Sequence, residues 1–313
     1  NTVDSIVVGN FVGKEALAAV GNVSPIINTL IGFFLGLAAG ASVVISQYYG
    51  ARDDKSVHEA VHTTMLMTFI LCVVFTIVGV LMVPYMLRLM STPADVFDGA
   101  AQYLRIYFCG VTGLMIYNMG AGILQAVGDS KRPLYFLIVS ALTNTVLDLV
   151  FVIFCGWGIA GVAIATVIAQ CLSAALVLIV LTRTTASYSI FWNHMRINNN
   201  MLRSIWKIGL PSALQQAITS FSNVFVQSYV NQFGSACMAG WASYGKIDQF
   251  ILLPMQSLAL STTTFVGHHL GANNIKRAKA GTHRAVVISL AVTAVLVVPV
   301  MIFAGQLISW FNP

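Results

Sequence analysis

The stretch Gln47-Tyr48-Tyr49-Gly50-Ala51-Arg52-Asp53-Asp54-Lys55 ends one long apolar run, turns on a Gly-Ala pair followed by charge, and leads into another apolar run. The chain does this twice. Gly271-Ala272 is followed by Lys276-Arg277 at the end of a second long run, at a constant offset of 221 residues. The register needs no gap: Asn10 falls on Asn231, Gly13 on Gly234, Ala18 on Ala239, Ile26 on Ile247 and Lys55 on Lys276. Glycine and alanine matches are common in apolar helices, so the unbroken register carries more weight than any identity. The offset spans an even number of helices, so both copies point the same way, and parallel repeats of this kind are built into transporters.

Composition sets the class of protein. The 313 residues hold 16 Lys+Arg and 10 Asp+Glu, or 8% charged, with 58% hydrophobic residues and a mean hydropathy of +0.83. Soluble domains carry about 25% charged residues. Too little polar surface remains to cover a soluble globule, which excludes a soluble enzyme, a disordered chain and a nucleic-acid-binding domain. The net charge of +6 does not mark a nucleic-acid face, because the basic residues sit in short clusters between apolar runs. The five cysteines, Cys72, Cys109, Cys155, Cys171 and Cys237, lie in or beside apolar segments with no CxxC spacing and read as small packing residues. The chain starts without Met or a basic leader and reads as a fragment.

A span needs about 20 mainly apolar residues. That rule places helices at 16–50, 60–87, 100–127, 133–155, 157–182, 208–233, 236–270 and 285–310, with 1–13 as the tail of one more. The fold class is all-α integral membrane. With the 51–57 loop on the cytoplasmic side, alternate loops put Arg52, Lys55, Lys131, Arg132, Arg183, Arg196, Arg203, Lys207, Lys276, Arg277, Lys279 and Arg284 there, against Lys14, Arg88 and Arg105 opposite. That bias fixes the orientation. The polar stretch 183–207 separates a first lobe, 1–182, from a second, partial lobe, 208–313.

Two soluble motifs fail on context. Gly156-Trp157-Gly158-Ile159-Ala160-Gly161 matches GxGxxG but lies between two spans, with no preceding strand and no acid over 162–182, so it reads as a tight turn. Gly9…Gly13-Lys14 has the wrong spacing for a phosphate loop. Gly32, Gly36 and Gly40 follow the small-xxx-small spacing of close helix packing.

Acids inside a span are informative, because a carboxylate at the bilayer centre costs about 2.5–3.5 kcal/mol or more. Asp4, Asp148 and Asp248 are the three that are not in loops or at helix ends. Ser140, Asn144 and Asp148 recur at i, i+4, i+8 and so share one helix face, and Thr166 and Gln170 repeat the spacing on the next helix. Carboxylate, amide and hydroxyl oxygens are the ligands a small hard cation takes, and the carboxylate also accepts a proton. The competing reading is an interhelical hydrogen-bond network. Gln216, Ser220, Asn223 and Gln227 form a polar stripe on one helix, and Lys246 and Asp248 lie inside the following span. These six are the candidates for an aqueous substrate cleft. His268-His269 are adjacent, point apart and have no third ligand in view, so no metal site is assigned beyond a Na⁺ at the acid face.

The chain resembles the multidrug and toxic compound extrusion (MATE) transporters along its whole length. The pieces are Val3-Asp4 with Val8-Gly9, Glu15 to Val20, Gly40-Ala41-Ser42 through Gln47 to Ala51, Leu124 to Asp129 with Pro133, Asn144 with Leu147-Asp148, Gly158 to Ala163 with Ala165-Thr166, and Gly209-Leu210-Pro211. The resemblance implies two six-helix lobes, the second incomplete here. It also implies export of organic cations or drugs in exchange for Na⁺ or H⁺ by alternating access, in a multi-pass protein of the plasma (inner) membrane acting as a monomer, without enzymatic chemistry. The residues matching the family's first-lobe cation site are Asp4, Asn144, Asp148 and Thr166. Some members use an acid on the seventh helix, but Pro211 to Thr219 contains none. The alternative within the same fold is a flippase for lipid-linked oligosaccharides, whose pyrophosphate calls for several basic residues where only Lys246 lies deep in a span.

Overall fold

A helix crossing lipid satisfies its own backbone N–H and C=O groups, and the computed structural model of the chain is helical along the apolar runs it describes. It describes residues 7–9, 11–90, 92–231, 233 and 235–303, and every regular element among them is helical. In chain order these are α1 (Lys14–Gly50), α2 (Asp54–Leu89), α3 (Ala94–Cys109), α4 (Val111–Ala126) and α5 (Lys131–Leu149), which runs into a π-helical turn (Val150–Phe154). Then come α6 (Gly158–Arg183), a 3-10 turn (Trp192–His194), α7 (Asn199–Asn231), α8 (Ser235–Gly271) and α9 (Ile275–Ile302).

Helices α1, α2, α5 with its π turn, α6 and α9 are each long and apolar enough to cross a membrane, and the bent pair α3 and α4 makes a sixth candidate. Helix α7, at 33 residues, is long enough but less apolar, diluted by Gln215, Gln216, Ser220 and Asn223. Helix α8 has 37 residues and carries Lys246 and Asp248 in its first half. Several helices begin earlier than the apolar runs: α2 at Asp54 rather than 60, α7 at Asn199 rather than 208, α9 at Ile275 rather than 285. Their first turns are polar, and the 36 residues of α2 rise about 54 Å, well beyond a ~30 Å hydrocarbon layer.

The run 100–127 is two helices and not one straight rod. Helices α3 and α4 meet at Gly110 with a bend of 48°. A side chain at Gly110 would overlap Val167 of α6, so the backbone turns where α6 comes closest. The Gly110 N–H is shared between the Ile106 and Tyr107 carbonyls, both at 3.1 Å, so the break leaves no orphan donor. Gly110→Val is expected to destabilise by about 1–3 kcal/mol through overpacking. Thermal unfolding in detergent checks this, and a wild-type Tm would refute it.

The chain forms two compact units. The first runs to Ile45 and resumes over Asp54–Ala217; the second holds Ser46–Asp53 and the chain from Ile218 onward. In the first, α4 packs on α2 and α6, α3 on α2 and α6, and α5 on α6. Helix α1 joins through its glycines: a side chain at Gly36 would overlap the Ser212–Ala213 backbone of α7, and one at Gly40 would overlap Gly209. Small residues at i,i+4 permit this approach.

In the second unit α8 packs on α9, and the 221-residue repeat becomes geometry. The Ala51, Arg52 and Asp53 N–H groups donate to the Gln47, Tyr49 and Tyr48 carbonyls at 3.0, 3.1 and 3.1 Å. Ala272, Asn273 and Asn274 donate to His268, Leu270 and His269 at 3.0, 3.0 and 2.8 Å, the same three bonds in the second copy. Arg52 (φ 58°) and Asn273 (φ 53°) are the non-glycine residues with positive φ among those described, and they are one offset apart. A left-handed residue at the helix end lets the next N–H reach back to a free carbonyl. Contacts between the copies are reciprocal as well. A side chain at Gly50 would meet the His268 backbone, one at Gly271 the Gln47 carbonyl, and one at Gly267 the Ser46 side chain. The offset carries Gly50 to Gly271, Gln47 to His268 and Ser46 to Gly267, so this contact set maps onto itself, as a local two-fold axis requires.

Candidate cation site

Asp148 lies one residue before the end of α5 and is fully buried. Its helix is fastened to α6 by polar side chains on the same face. Ser140 donates its Oγ hydrogen to the Ala169 carbonyl at 2.6 Å, about two turns before Asp148 closes the row. Asn144 Nδ2 donates to Thr166 Oγ1 at 3.5 Å. Thr166 in turn donates to the Val162 carbonyl of its own helix at 3.0 Å, so its oxygen faces Asn144 as an acceptor. Engaging Nδ2 in this way leaves the Asn144 amide oxygen available to accept. The face therefore presents a carboxylate, an amide oxygen and a hydroxyl oxygen, all hard donors suited to a Na⁺-sized ion or, at the carboxylate, a proton.

The site extends toward α3. Gln170, one turn beyond Thr166, donates Nε2 to the Tyr107 hydroxyl at 3.3 Å, and its Oε1 is buried without a hydrogen-bond partner among the described residues. Tyr107 is 2% exposed and stacks with Tyr103 at 6.3 Å. Sequence reasoning missed both tyrosines. Their i,i+4 spacing in an apolar helix is the signal that would have flagged them. Beyond Asp148, the helix widens into the π turn, where Cys155 N–H reaches the Val150 carbonyl at 3.1 Å. Such turns recur at functional sites. Trp157 stacks on Phe151 at 5.0 Å, and Gly156 and Gly158 take φ of 66° and 55°. The GxGxxG stretch is a tight interhelical turn.

Other candidates stand elsewhere. Asp4 lies outside the described residues, as do the side chains of Gln227 and Lys246. Gln216 and Asn223 on α7 are exposed, while Ser220 and Asp248 are partly exposed. His268 rests on Tyr49 at 5.3 Å and His269 edge-on against Phe265 at 4.3 Å, so the two rings occupy different contacts. No group of three or more His, Cys, Asp or Glu able to hold a metal occurs among the described residues.

A family model described as MatE matches residues 1–150 and 211–313. The chain belongs to the MATE family of membrane transporters. It is 31% identical over 99% of its length to the "Probable multidrug resistance protein YoeA" of Bacillus subtilis (strain 168), of which it covers 68%. It is 24% identical over 96% of its length to the "FAD transporter" of Shewanella oneidensis, covering 67% of that protein. Among solved structures, a MATE protein in the bent conformation superimposes with a TM-score of 0.93 at 26% identity, covering 99% of this chain and 70% of that one. The MATE chain described here thus spans about two thirds of such relatives.

Proposed function

We propose that this MATE chain is the larger part of a secondary active exporter of the plasma (inner) membrane, acting as a monomer. It moves organic cations or drugs outward in exchange for Na⁺ or H⁺ by alternating access. One observation carries the coupling: a fully buried carboxyl, Asp148, on a membrane helix face shared with the Asn144–Thr166 hydrogen bond. Asp4, Asn144, Asp148 and Thr166 receive the cation. Its entry neutralises the acid face, removes the cost of closing apolar helices over a charge and favours the state that releases substrate outward. Each inward elementary charge brings ~2.3 kcal/mol per 100 mV. Gln216, Ser220, Asn223, Gln227, Lys246 and Asp248 line the substrate path. The polar side chains of Gln216 and Asn223, which reach the surface of an otherwise apolar helix, support that reading.

The test is efflux of a fluorescent lipophilic cation from vesicles holding the full-length protein, with Na⁺ and pH gradients imposed separately. Accumulation driven by one gradient is expected. Dye that only equilibrates would identify a passive pore. The FAD transporter among the relatives makes FAD the competing cargo to run beside the dye. The flippase alternative is not favoured.

A further inference from the structure

The polar stretch after α6 is bound to α6 and α2 at its middle and to α2 again at its end. Ile190 N–H donates to the Leu181 carbonyl at 2.8 Å and Phe191 N–H to His62 Nε2 at 3.1 Å, with Ser189, Ile190 and His62 all under 5% exposed. The His58 ring lies 3.9 Å from His62 and 5.6 Å from Phe191, and Trp192 packs on Phe69 at 5.9 Å. Seven residues on, Asn198 makes a double connection. Its backbone N–H donates to Thr63 Oγ1 at 3.0 Å and its Nδ2 to Glu59 Oε2 at 2.7 Å, while its Oδ1 accepts from Asn200 and Met201 N–H at 2.9 and 3.3 Å. The residue that caps the start of α7 therefore also ties that start to α2. Helix α7 stays with this unit afterwards: Ile205 and Ala213 are fully buried, and Gly209 faces Leu37 of α1.

The same surface in the second repeat looks different. At the 221-residue offset, His58, Val61 and His62 correspond to Lys279, Thr282 and His283, which line an open groove of about 500 Å³ on α9. Val61 and Met65 are fully buried, whereas Thr282 and Val286 are exposed. The segment 184–198 covers part of the matching face of α2 and leaves a groove of about 600 Å³ between His58, Glu59 and residues 185–189.

We propose that residues 184–198 are a fixed strap, docked on α2 throughout the transport cycle. The long polar stretch is then an anchor of the first unit, which the chain leaves only at Ala217, within a continuous helix. The proposal rests on the alternating-access reading only for its transport readout.

Two measurements test it. Hydrogen exchange on the wild-type full-length protein reads the Phe191 and Asn198 amides directly. Both are expected to exchange at least about 100-fold more slowly than unstructured amides, with and without Na⁺, acid and dye. Loop-like exchange in any of these conditions overturns the strap. In a background with the native cysteines replaced, His58→Cys with Phe191→Cys is then bridged by a short bifunctional methanethiosulfonate reagent. Bridged protein is expected to keep at least half the efflux of the unbridged variant. Efflux that stops on bridging and returns with dithiothreitol shows that the strap must undock, and the proposal fails. Absence of efflux from wild-type protein would count against the transport reading alone, because the exchange result stands without it.

Discussion

Asp148→Asn in the full-length protein removes coupled counter-transport while leaving the fold intact. Asn keeps the volume and the hydrogen-bonding edge of the buried carboxyl but has no charge for a cation to neutralise. If neutralisation of that charge contributes about 3 kcal/mol, its loss weakens gradient-driven efflux roughly 10²-fold. Stability does not fall, since a neutral amide in the interior of the first unit costs less to bury than a carboxylate. The expected signature is a wild-type or higher Tm, normal expression, and dye efflux that no longer responds to either gradient. Coupled efflux at wild-type rate would remove Asp148 from the mechanism, however well buried it is. Thr166→Val and Asn144→Ala serve as graded companions, each deleting one neutral oxygen donor and leaving the charge.

A side chain at Gly271 or Gly50 produces the second large effect, and the two losses are expected to match. At both positions the clash is with backbone, the Gln47 carbonyl in one case and the His268 main chain in the other, so no rotamer change relieves it. Gly271→Leu and Gly50→Leu are each expected to destabilise by about 3 kcal/mol, the upper part of the overpacking range. Gly21, where a side chain would meet nothing within 4 Å, is the control. Gly21→Ala is expected to be neutral or to stabilise by up to ~1 kcal/mol, because alanine is the better helix former. Thermal unfolding of the four proteins in one detergent decides the matter. A Gly271→Leu variant as stable as Gly21→Ala would show that the helix ends do not meet as described.

Most of the helical architecture was legible because lipid leaves the backbone no other way to satisfy its polar groups, so apolar runs and helices coincide. What escaped was anything that does not change composition. The break at Gly110 is set by the approach of Val167, a residue more than fifty positions away, and one glycine in an apolar run gives no warning of it. The π turn after Asp148 shifts the helical period by a fraction of a turn over five residues, too little for any pattern of hydropathy to register. Helices α2, α7 and α9 start before their apolar runs because their first turns are polar and stand clear of the hydrocarbon. At the site, the spacing of Ser140, Asn144 and Asp148 against Thr166 and Gln170 anticipated which faces of α5 and α6 meet, and Asn144 does bond Thr166. The Tyr103–Tyr107 spacing is visible in the sequence, but the link from Tyr107 to Gln170 is not, because it spans 63 residues and depends on how α3 packs against α6.

The matched turns at Arg52 and Asn273 also speak to ancestry. Side chains at these two positions have nothing in common, yet both residues hold the left-handed conformation that L-amino acids other than glycine and asparagine ordinarily avoid. Two halves descended from one duplicated gene would keep such a turn after its residues had diverged, because the turn positions the next helix and the residue only has to tolerate it. The sign of a backbone angle is what the two turns share where their side chains differ, and Arg52 is the costlier of the two residues to hold there.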